Sequence, residues 1–157
     1  MKILIISDTH GDLRNLRQVL AVEKPIDNLF HLGDFLRDDD EIRARADCAC
    51  AFVRGNCDYF ADERDFRDFG LLGHKVHMEH GQLLPYGFEA MAARAKALGA
   101  DILLYGHTHS PLSVKKDGVY IVNPGSLSRP RQADHRPSYV ILNIDAENIS
   151  FEIKYLE

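Results

Sequence analysis

The amino-acid sequence predicts an α/β fold in which helices pack on a mixed sheet system. Up to about residue 109, short apolar runs alternate with segments of helical periodicity, whereas beyond it strand patterns follow one another directly. The length of 157 residues suits one domain over residues 1–157, and no internal repeat, low-complexity tract or linker divides the chain.

The N-terminal part begins with strand and helix patterns in alternation. Residues 2–7 are an isoleucine-rich run suited to a strand buried on both faces. Apolar residues then recur at helical spacing over residues 13–20, with Asp12 as the N-cap candidate. Residues 28–32 and residues 49–54 predict the next two strands.

A helix-like stretch between those two strands begins with the acidic residues 38–41, which suit a helix N-terminus. We therefore interpret this acidic cluster as a solvated helix start and not as a metal site. Residues 75–79 predict a strand, residues 87–98 an alanine-rich helix, and residues 101–105 another strand.

The C-terminal part predicts two pairs of consecutive strands. Residues 112–116 and 119–122 flank Asp117-Gly118, a strong signal for a tight hairpin turn. Residues 138–144 and 149–155 form the last alternating pair. Together with the earlier alternation of strands and helices, this order indicates layered α/β architecture.

Composition excludes several classes of protein. The net charge of −5 argues against binding to long nucleic acid, which normally requires a basic surplus. No apolar run could span a bilayer and the N-terminus lacks a signal-peptide core, so we expect a cytoplasmic protein that does not bind membranes. Three crowded cysteines, Cys48, Cys50 and Cys57, favour reduced thiols over a disulfide framework. Cys48 and Cys50 are interpreted as buried strand residues in preference to metal ligands.

Residues able to bind a metal follow five of the predicted strands. They are Asp8 and His10, then Asp34, Asn56 and His80, and finally His107 and His109. In open α/β sheets ligands gather beyond the carboxyl ends of strands, and neighbouring glycines let the chain turn sharply there. Each of the pairs Asp8/His10 and His107/His109 is spaced by two, so locally extended chain would aim both side chains to one side.

Each of these residues has an ordinary explanation when it is taken singly. A lone histidine is usually a surface or core residue, and His31, His74, His77 and His135 are assigned to that class. A Gly-Asp or Gly-Asn pair is usually a turn. Five strand ends that all carry oxygen or imidazole donors are not explained in this way, and a donor set without thiolates suits Mn²⁺, Fe or Zn²⁺.

Five motifs carry a resemblance to a known family. They are Asp8-x-His10, Gly33-Asp34, Gly55-Asn56, His80-Gly81 and Gly106-His107-x-His109. In order and type these motifs resemble the five blocks of the calcineurin-like metallophosphoesterase superfamily. The later Asn123-Pro124-Gly125-Ser126 resembles a segment of its small YfcE-like phosphodiesterase branch. The resemblance implies a four-layer α/β/β/α sandwich, the metallophosphoesterase fold.

The resemblance also implies two divalent metal ions, with Mn²⁺ expected and Fe, Ni or Zn²⁺ as alternatives. One ion would be held by Asp8, His10, Asp34 and His109, and the other by Asp34, Asn56, His80 and His107. Asp34 would bridge the ions, and Asp34 and Asn56 would serve catalysis in which a metal-bridging hydroxide attacks phosphorus. The implied enzyme is a phosphoric diester hydrolase.

One position departs from the pattern of many superfamily members. Where they have a histidine after the asparagine, this chain has Cys57, within Gly55-Asn56-Cys57-Asp58. A thiol replaces imidazole poorly as an acid near neutral pH. We therefore expect diesters with good leaving groups to be preferred over alkyl monoesters, with Asn56 and Cys57 as candidate substrate contacts. Cys57 as a nucleophile or metal ligand is the less favoured alternative.

Two other functions are compatible with the sequence. A relative of this fold in the retromer coat serves mainly in protein assembly, and a nucleotide-binding regulator with little turnover is a third hypothesis. The expected partner is a small phosphoester or nucleotide-like substrate, bounded by loops over residues 36–42 and 59–68. Arg129 and Arg131 are candidates for phosphate contact or for surface positions. A homo-oligomer is expected only by analogy.

Overall fold

Ten strands and three helices make up the computed structural model, which describes residues 1–157. In chain order they are β1 Lys2–Ile6, α1 Arg14–Glu23, β2 Asn28–His31, α2 Asp39–Ala46, β3 Ala49–Phe52, β4 Phe66–Leu71, β5 His74–Glu79, α3 Phe88–Ala97, β6 Ile102–Leu104, β7 Pro111–Lys116, β8 Val119–Pro124, β9 Ser138–Ile144 and β10 Ile149–Tyr155. No helix has the length and apolar character that crossing a membrane requires.

The strands form two mixed sheets of five strands each. The first sheet has the order β10-β9-β1-β2-β3, with β1, β2 and β3 parallel and β9 and β10 antiparallel to their neighbours. The second has the order β4-β5-β6-β8-β7, with β5, β6 and β8 parallel and the edge strands β4 and β7 antiparallel. The parallel strands β1, β2, β5, β6 and β8 lie inside their sheets, where both of their faces are covered, whereas the parallel strand β3 is an edge of the first sheet.

Three hydrophobic clusters separate four layers. Alternate residues of β1 point to opposite faces, so that Leu4 and Ile6 pack beneath α1 and α2, whereas Ile3 and Ile5 pack between the sheets. A third cluster, which includes Ala92 and Ala95 of α3, covers the outer face of the second sheet. Each fully buried large aliphatic side chain contributes about 1.5–3 kcal/mol. The α/β/β/α sandwich that the resemblance implied is confirmed.

Several predicted elements require correction. Residues 66–68 were expected in a loop but form the first half of β4. Exposed and half-buried side chains alternate along this strand, so that Arg67 is half-buried and Asp68 is exposed. Helix α1 begins at Arg14, and Asp12 accepts a hydrogen bond from the Arg14 backbone N–H (3.1 Å) without capping the helix. The turn at Asp117-Gly118 is as predicted, since both residues have positive φ, as a type I′ turn requires.

Candidate metal centre

The loops that follow β1, β2, β3, β5 and β6 meet at one end of the sandwich. Four of the seven candidate ligands follow strands of the first sheet, and the other three follow strands of the second. The seven are Asp8, His10, Asp34 and Asn56 from the first sheet, and His80, His107 and His109 from the second. The structure therefore brings together residues up to 101 positions apart, as the strand-end pattern predicted.

The first group consists of Asp8, His10, Asp34 and His109, whose ligand atoms all lie within 4.8 Å of one another. His109 Nε2 is 3.0 Å from Asp8 Oδ1 and 3.3 Å from His10 Nε2. His10 Nε2 is 3.7 Å from Asp34 Oδ2. Ligands bound to one ion at about 2.0–2.2 Å have similar mutual spacings. The group is the same set of residues that the resemblance assigned to one ion.

The second group joins Asn56, His80 and His107 to the same aspartate. Asn56 Oδ1 lies 3.1 Å from His80 Nε2 and 3.0 Å from His107 Nδ1. His80 Nε2 is 3.4 Å from Asp34 Oδ2. Asp34 therefore lies between the two groups, where a bridging ligand would have to be.

The local backbone differs from the prediction. We expected Asp8/His10 and His107/His109 to lie on extended chain, but all four have positive φ, between 45° and 63°, as does Asp34 at 57°. The pairs converge because the chain coils tightly at the strand ends, and not because alternate side chains of a strand share a face. Non-glycine residues adopt this conformation only when their surroundings enforce it, which is common at functional sites.

Two hydrogen bonds orient the histidines. The Nδ1–H groups of His80 and His109 donate to the carbonyl oxygens of Leu32 and Arg129, both at 2.6 Å. In the neutral ring, the Nε2 of each then carries a lone pair directed into the centre. This is the tautomer that a metal-binding histidine requires.

The centre has a negative electrostatic character. Burial opposes ionisation of Asp34, but the nearby His80 and the Cys57 backbone N–H outweigh it and lower the pKa of the carboxyl. The pKa of Asp8 is also lowered, because contacts with His109 and His80 outweigh the effect of burial. In turn, burial disfavours the charged ring of His80, yet Asp34 and Asp8 raise its pKa. Two buried carboxylates thus favour positive charge between them.

A divalent cation fits this arrangement. Asp8 Oδ1 is buried and accepts no hydrogen bond, because His109 Nε2, 3.0 Å away, carries a lone pair when the Nδ1–H of that ring donates to Arg129. An unsatisfied buried carboxylate oxygen is costly without a cation. The imidazole, carboxylate and amide donors are those that Mn²⁺, Fe or Zn²⁺ accept.

Two glycines allow the loops to approach one another. A Cβ at Gly55 would clash with Asp34 Oδ1, and a Cβ at Gly106 would clash with Ser7 Oγ and lie 2.9 Å from Asp8 Oδ2. These glycines therefore provide space for the two carboxylates, and any side chain there would displace them.

The sequence analysis missed the role of Asp58. This buried carboxylate accepts backbone hydrogen bonds from Asp34 (2.7 Å), Leu36 (2.6 Å) and Gly55 (2.7 Å). It ties the loop after β2 to the loop after β3, and so positions Asp34 relative to Asn56. The only signal in the sequence was its place two residues after Asn56.

The Asn123-to-Ser126 segment positions the centre from β8. Asn123 Nδ2 donates to the carbonyl oxygen of Gly106 (2.7 Å) and to Thr108 Oγ1 (3.0 Å), which fixes the loop that carries His107 and His109. Ser126 Oγ donates to the Asp8 carbonyl oxygen at 2.7 Å.

Cys57 lies beside the centre but is not among its oxygen and nitrogen donors. Its backbone N–H donates to Asp34 Oδ1 (2.9 Å), and the Asn56 amide Nδ2 donates to its Sγ (3.5 Å). Burial and the charge of Asp34 raise the pKa of the thiol to about 11. A neutral thiol is a weak nucleophile near pH 7. Cys48 and Cys50 are half-buried free thiols.

The four histidines assigned to surface or core positions belong to neither donor group. His31 is buried and bonded to Thr9 Oγ1 (3.1 Å), and burial lowers its pKa to about 3. His74 contacts Asp101, His77 is enclosed between Asp68 and Glu79, and His135 is exposed. Arg129 and Arg131 meet His109 through their backbones, by the Arg129 carbonyl and the Arg131 N–H.

A wide groove of about 760 Å³ lies elsewhere, between the edge strands β3 and β4, and none of the seven ligands lines it. Its volume alone would make this groove a candidate binding site. The convergent donors and the perturbed pKa values lie at the strand ends instead, and these are stronger indications of a functional site.

Comparison with known proteins identifies the family. The model of the calcineurin-like phosphoesterase superfamily domain matches residues 1–147. The chain belongs to this superfamily. This chain is 34% identical over 158 residues to the probable metallophosphoesterase YsnB of Bacillus subtilis. The match covers 96% of this chain and 90% of that relative. The chain is 28% identical to the phosphodiesterase YfcE of Escherichia coli, with coverages of 95% and 91%.

Solved structures agree with this assignment. A conserved, predicted phosphoesterase of Streptococcus pneumoniae superposes with a TM-score of 0.81 at 28% identity. The superposition covers 98% of this chain and 88% of the streptococcal one. Vps29 of Entamoeba histolytica, in complex with Zn²⁺, has a TM-score of 0.81 at 21% identity, with coverages of 99% and 98%. At that identity the second similarity extends to the fold alone.

Proposed function

We propose that this protein is a metal-dependent phosphodiesterase that hydrolyses small phosphodiesters. The observation that carries the proposal is the convergence of seven oxygen and nitrogen donors, from both sheets, into two groups that share Asp34. A shared carboxylate between two donor groups is the arrangement that a dinuclear site requires.

Each group has enough donors for one ion. Asp8, His10, Asp34 and His109 would hold the first, and Asp34, Asn56, His80 and His107 the second. When bound, divalent ions supply Lewis acidity to the phosphoryl oxygens and increase the acidity of coordinated water. Mn²⁺ is the expected ion, with Fe, Ni and Zn²⁺ as alternatives.

The candidate ligands are buried on one side of the centre and reach solvent on the other. Asp8, Asp34, His80 and His109 are buried, whereas Asn56 is exposed and His10 and His107 are half-buried. Substrate therefore approaches from the side of Asn56 and His107. The Asn56 Nδ2 donates one hydrogen bond to Cys57 Sγ and has a second N–H that a phosphoryl oxygen would accept. The backbone N–H groups of Cys57 and His107 hold the carboxylates of Asp34 and Asp8 in place.

The preference for diesters rests on Cys57. Its thiol, with a pKa raised to about 11 by burial and Asp34, is neutral near pH 7 and a poor proton donor to a leaving group. General-acid assistance is worth about 10²–10⁴-fold, and its absence penalises poor leaving groups most. The name of the relative YfcE, a phosphodiesterase, supports the same reaction class.

The substrate we propose is a small phosphodiester or nucleotide-like molecule. A net charge of −5 disfavours long nucleic acid, whose binding depends on basic residues along its backbone. Small substrates need only the local positive charge that bound cations supply.

A matrix of metals and substrates tests the proposal. Protein stripped with a chelator is reloaded with Mn²⁺, Zn²⁺, Fe²⁺ or Ni²⁺, its metal content is measured, and hydrolysis of bis(p-nitrophenyl) phosphate is compared with that of p-nitrophenyl phosphate. We expect two ions per chain and faster hydrolysis of the diester. Asp34→Asn should lower turnover by more than about 100-fold, whereas the exposed control His135→Gln should not.

Two results would contradict the proposal. A clear preference for the monoester would exclude the diesterase assignment. Absence of both bound metal and hydrolysis would favour a scaffold role, which the similarity in fold to Vps29 makes the main alternative.

A further inference from the structure

A small open pocket adjoins the candidate metal centre. Its volume is about 350 Å³, within the range of pockets that bind small organic groups. It is lined by Gly11, Leu36, Arg37, Asp38, Cys57, Tyr59 and Phe60. None of these residues is a candidate metal ligand, so the pocket adjoins the centre without including it.

The inner end of the pocket meets the centre directly. Gly11 follows His10, and Cys57 follows Asn56 and donates its backbone N–H to Asp34 Oδ1 at 2.9 Å. A phosphate held at the metal centre would therefore carry one of its organic substituents towards this pocket.

Aromatic side chains form its outer wall. Tyr59 and Phe60 are consecutive and each is 79% exposed, which is a large apolar surface to leave in water. The Arg37 guanidinium lies 4.8 Å from the Phe60 ring centroid and covers one side of that ring. Tyr59 makes no comparable contact, and its ring is available to stack against a ligand.

The opposite wall is held rigidly. Leu36 has φ of 62°, an uncommon value for leucine, and its backbone N–H donates to the buried Asp58 Oδ1 at 2.6 Å. Asp58 also anchors Asp34, so one carboxylate fixes both the pocket wall and a candidate ligand. A strained residue held in this way beside a pocket indicates a binding function.

One polar atom in the pocket lacks a partner. Asp38 Oδ2 is buried and makes no hydrogen bond, and a Cβ at Gly11 would lie 3.9 Å from it and 3.3 Å from Leu36 Cδ1. A buried carboxylate oxygen without a donor is costly, and a ligand hydroxyl or amino group would satisfy it.

We propose that this pocket binds a nucleoside, whose base stacks on Tyr59 against Leu36 and whose hydroxyl or amino groups donate to Asp38. The nucleoside would be the organic part of the substrate, and in this respect the inference rests on the proposed phosphodiesterase function. Base–aromatic stacking supplies affinity with little discrimination among bases, so the pocket selects nucleotides as a class.

Calorimetric titration of the metal-loaded protein tests the inference with two matched probes. Adenosine 5′-monophosphate carries the base, and ribose 5-phosphate has the same sugar and phosphate without it. We expect the nucleotide to bind about 5- to 100-fold more tightly. Tyr59→Ala should remove that difference by weakening only the nucleotide, and Tyr59→Phe should retain it. Asp38→Ala should weaken the nucleotide about 2- to 10-fold.

Tyr86 provides the control, because it is an exposed tyrosine like Tyr59 but lies outside the pocket. Tyr86→Ala should leave both affinities unchanged. Equal affinities of the two probes in the wild type, or an equal loss for both in Tyr59→Ala, would overturn the inference. Hydrolysis of aryl diesters together with equal affinities for the two probes would reject the pocket alone. Tighter binding of the nucleotide without any hydrolysis would reject the phosphodiesterase function alone.

Discussion

Five of the seven candidate ligands have left-handed backbones, with φ between 45° and 63°. For non-glycine residues this conformation costs about 1–2 kcal/mol each. The cost is tolerated because hydrogen bonds from neighbouring loops determine the conformation. Ser126 and Ser128, for example, both donate to the carbonyl oxygen of Asp8 (2.7 and 2.9 Å). The centre is therefore preorganised by its surroundings, at the expense of local stability.

Asp58 should be the most sensitive residue outside the ligand set. Asp58→Ala would leave three N–H groups without an acceptor, two of them buried, at about 1–3 kcal/mol for each one that water does not reach. We expect a melting temperature at least about 5 °C lower and metal affinity reduced about 10- to 100-fold. Differential scanning calorimetry and metal titration measure the two effects. Asp62→Asn, at an exposed neighbouring position, is the control and should change neither.

Cys57 should be dispensable as a nucleophile. Because its thiol has a pKa of about 11, raised by burial and Asp34, Cys57→Ser should retain metal content and turnover within about tenfold of the wild type. Steady-state hydrolysis of an aryl diester measures this. A loss of about 10⁵-fold or more, the scale seen when a true nucleophile is removed, would show that the thiol takes part in the chemistry.

At the scale of elements, a buried charge cluster joins one helix end to three strands. Glu23 of α1 receives hydrogen bonds from Tyr139 of β9 (2.8 Å) and Lys154 of β10 (2.9 Å), and pairs with Lys2 of β1 at 2.8 Å. Burial raises the pKa of Glu23, but the two lysines and Tyr139 outweigh it and lower the pKa from 4.5 to about 2. The cluster therefore fixes α1 against the first sheet only while Glu23 is ionised.

This cluster predicts a pH dependence of stability. Because the pKa of Glu23 is lower in the folded state, its contribution is complete above about pH 4.5 and is lost as the pH falls towards about 2. The contribution is on the order of 2 kcal/mol, allowing for the partly exposed lysines. Between pH 5 and 2, Glu23→Gln should therefore lose less stability than the wild type in urea unfolding. Parallel curves for the two proteins would contradict this, and Glu147→Gln, at an exposed position, should follow the wild type.

Helices and strands were predictable where the hydrophobic periodicity of the sequence was not altered by functional residues or by a position at the edge of a sheet. The strands β9 and β10 begin and end where their alternation does, and the Asp117-Gly118 turn sets the register of the hairpin before them. Strand β4 was missed because it is an edge strand whose inward face includes Arg67, which bonds to Glu63 and to the Phe52 carbonyl, alongside Phe69. Its pattern depends on tertiary partners that the sequence does not reveal.

For the site, the identities of the donors were predictable but their geometry was not. The strand-end positions of Asp34 and His80 follow from the apolar runs before them, and the structure places them 3.4 Å apart. The left-handed backbone at His10 and His109 could not be inferred, because it is imposed by loops from other strands. The role of Asp58 was hidden for the same reason, since its three partners are backbone groups.

At the scale of the whole molecule, metal binding should stabilise the fold. Ligands at 100 times their dissociation constant add about 2.7 kcal/mol, or about 5–10 °C in melting temperature for a chain of this size. Removal of metal with a chelator should reverse that gain in a thermal melt. His109→Gln should abolish the metal-dependent increase, whereas His135→Gln should keep it. A melting temperature that does not respond to metal in the wild type would contradict the assignment of the centre.

The division of the ligands between the two sheets also has a consequence for kinetics. Four donors come from the first sheet and three from the second, so the centre is complete only after the sheets have packed together. Interactions that form after the rate-limiting step of folding slow unfolding without accelerating folding. Bound cations should therefore prolong the lifetime of the native state and leave the refolding rate unchanged, and stopped-flow chevron plots with and without metal would record this as a shift of the unfolding limb alone. In a cell, loss of metal would then determine how soon the protein becomes accessible to proteases.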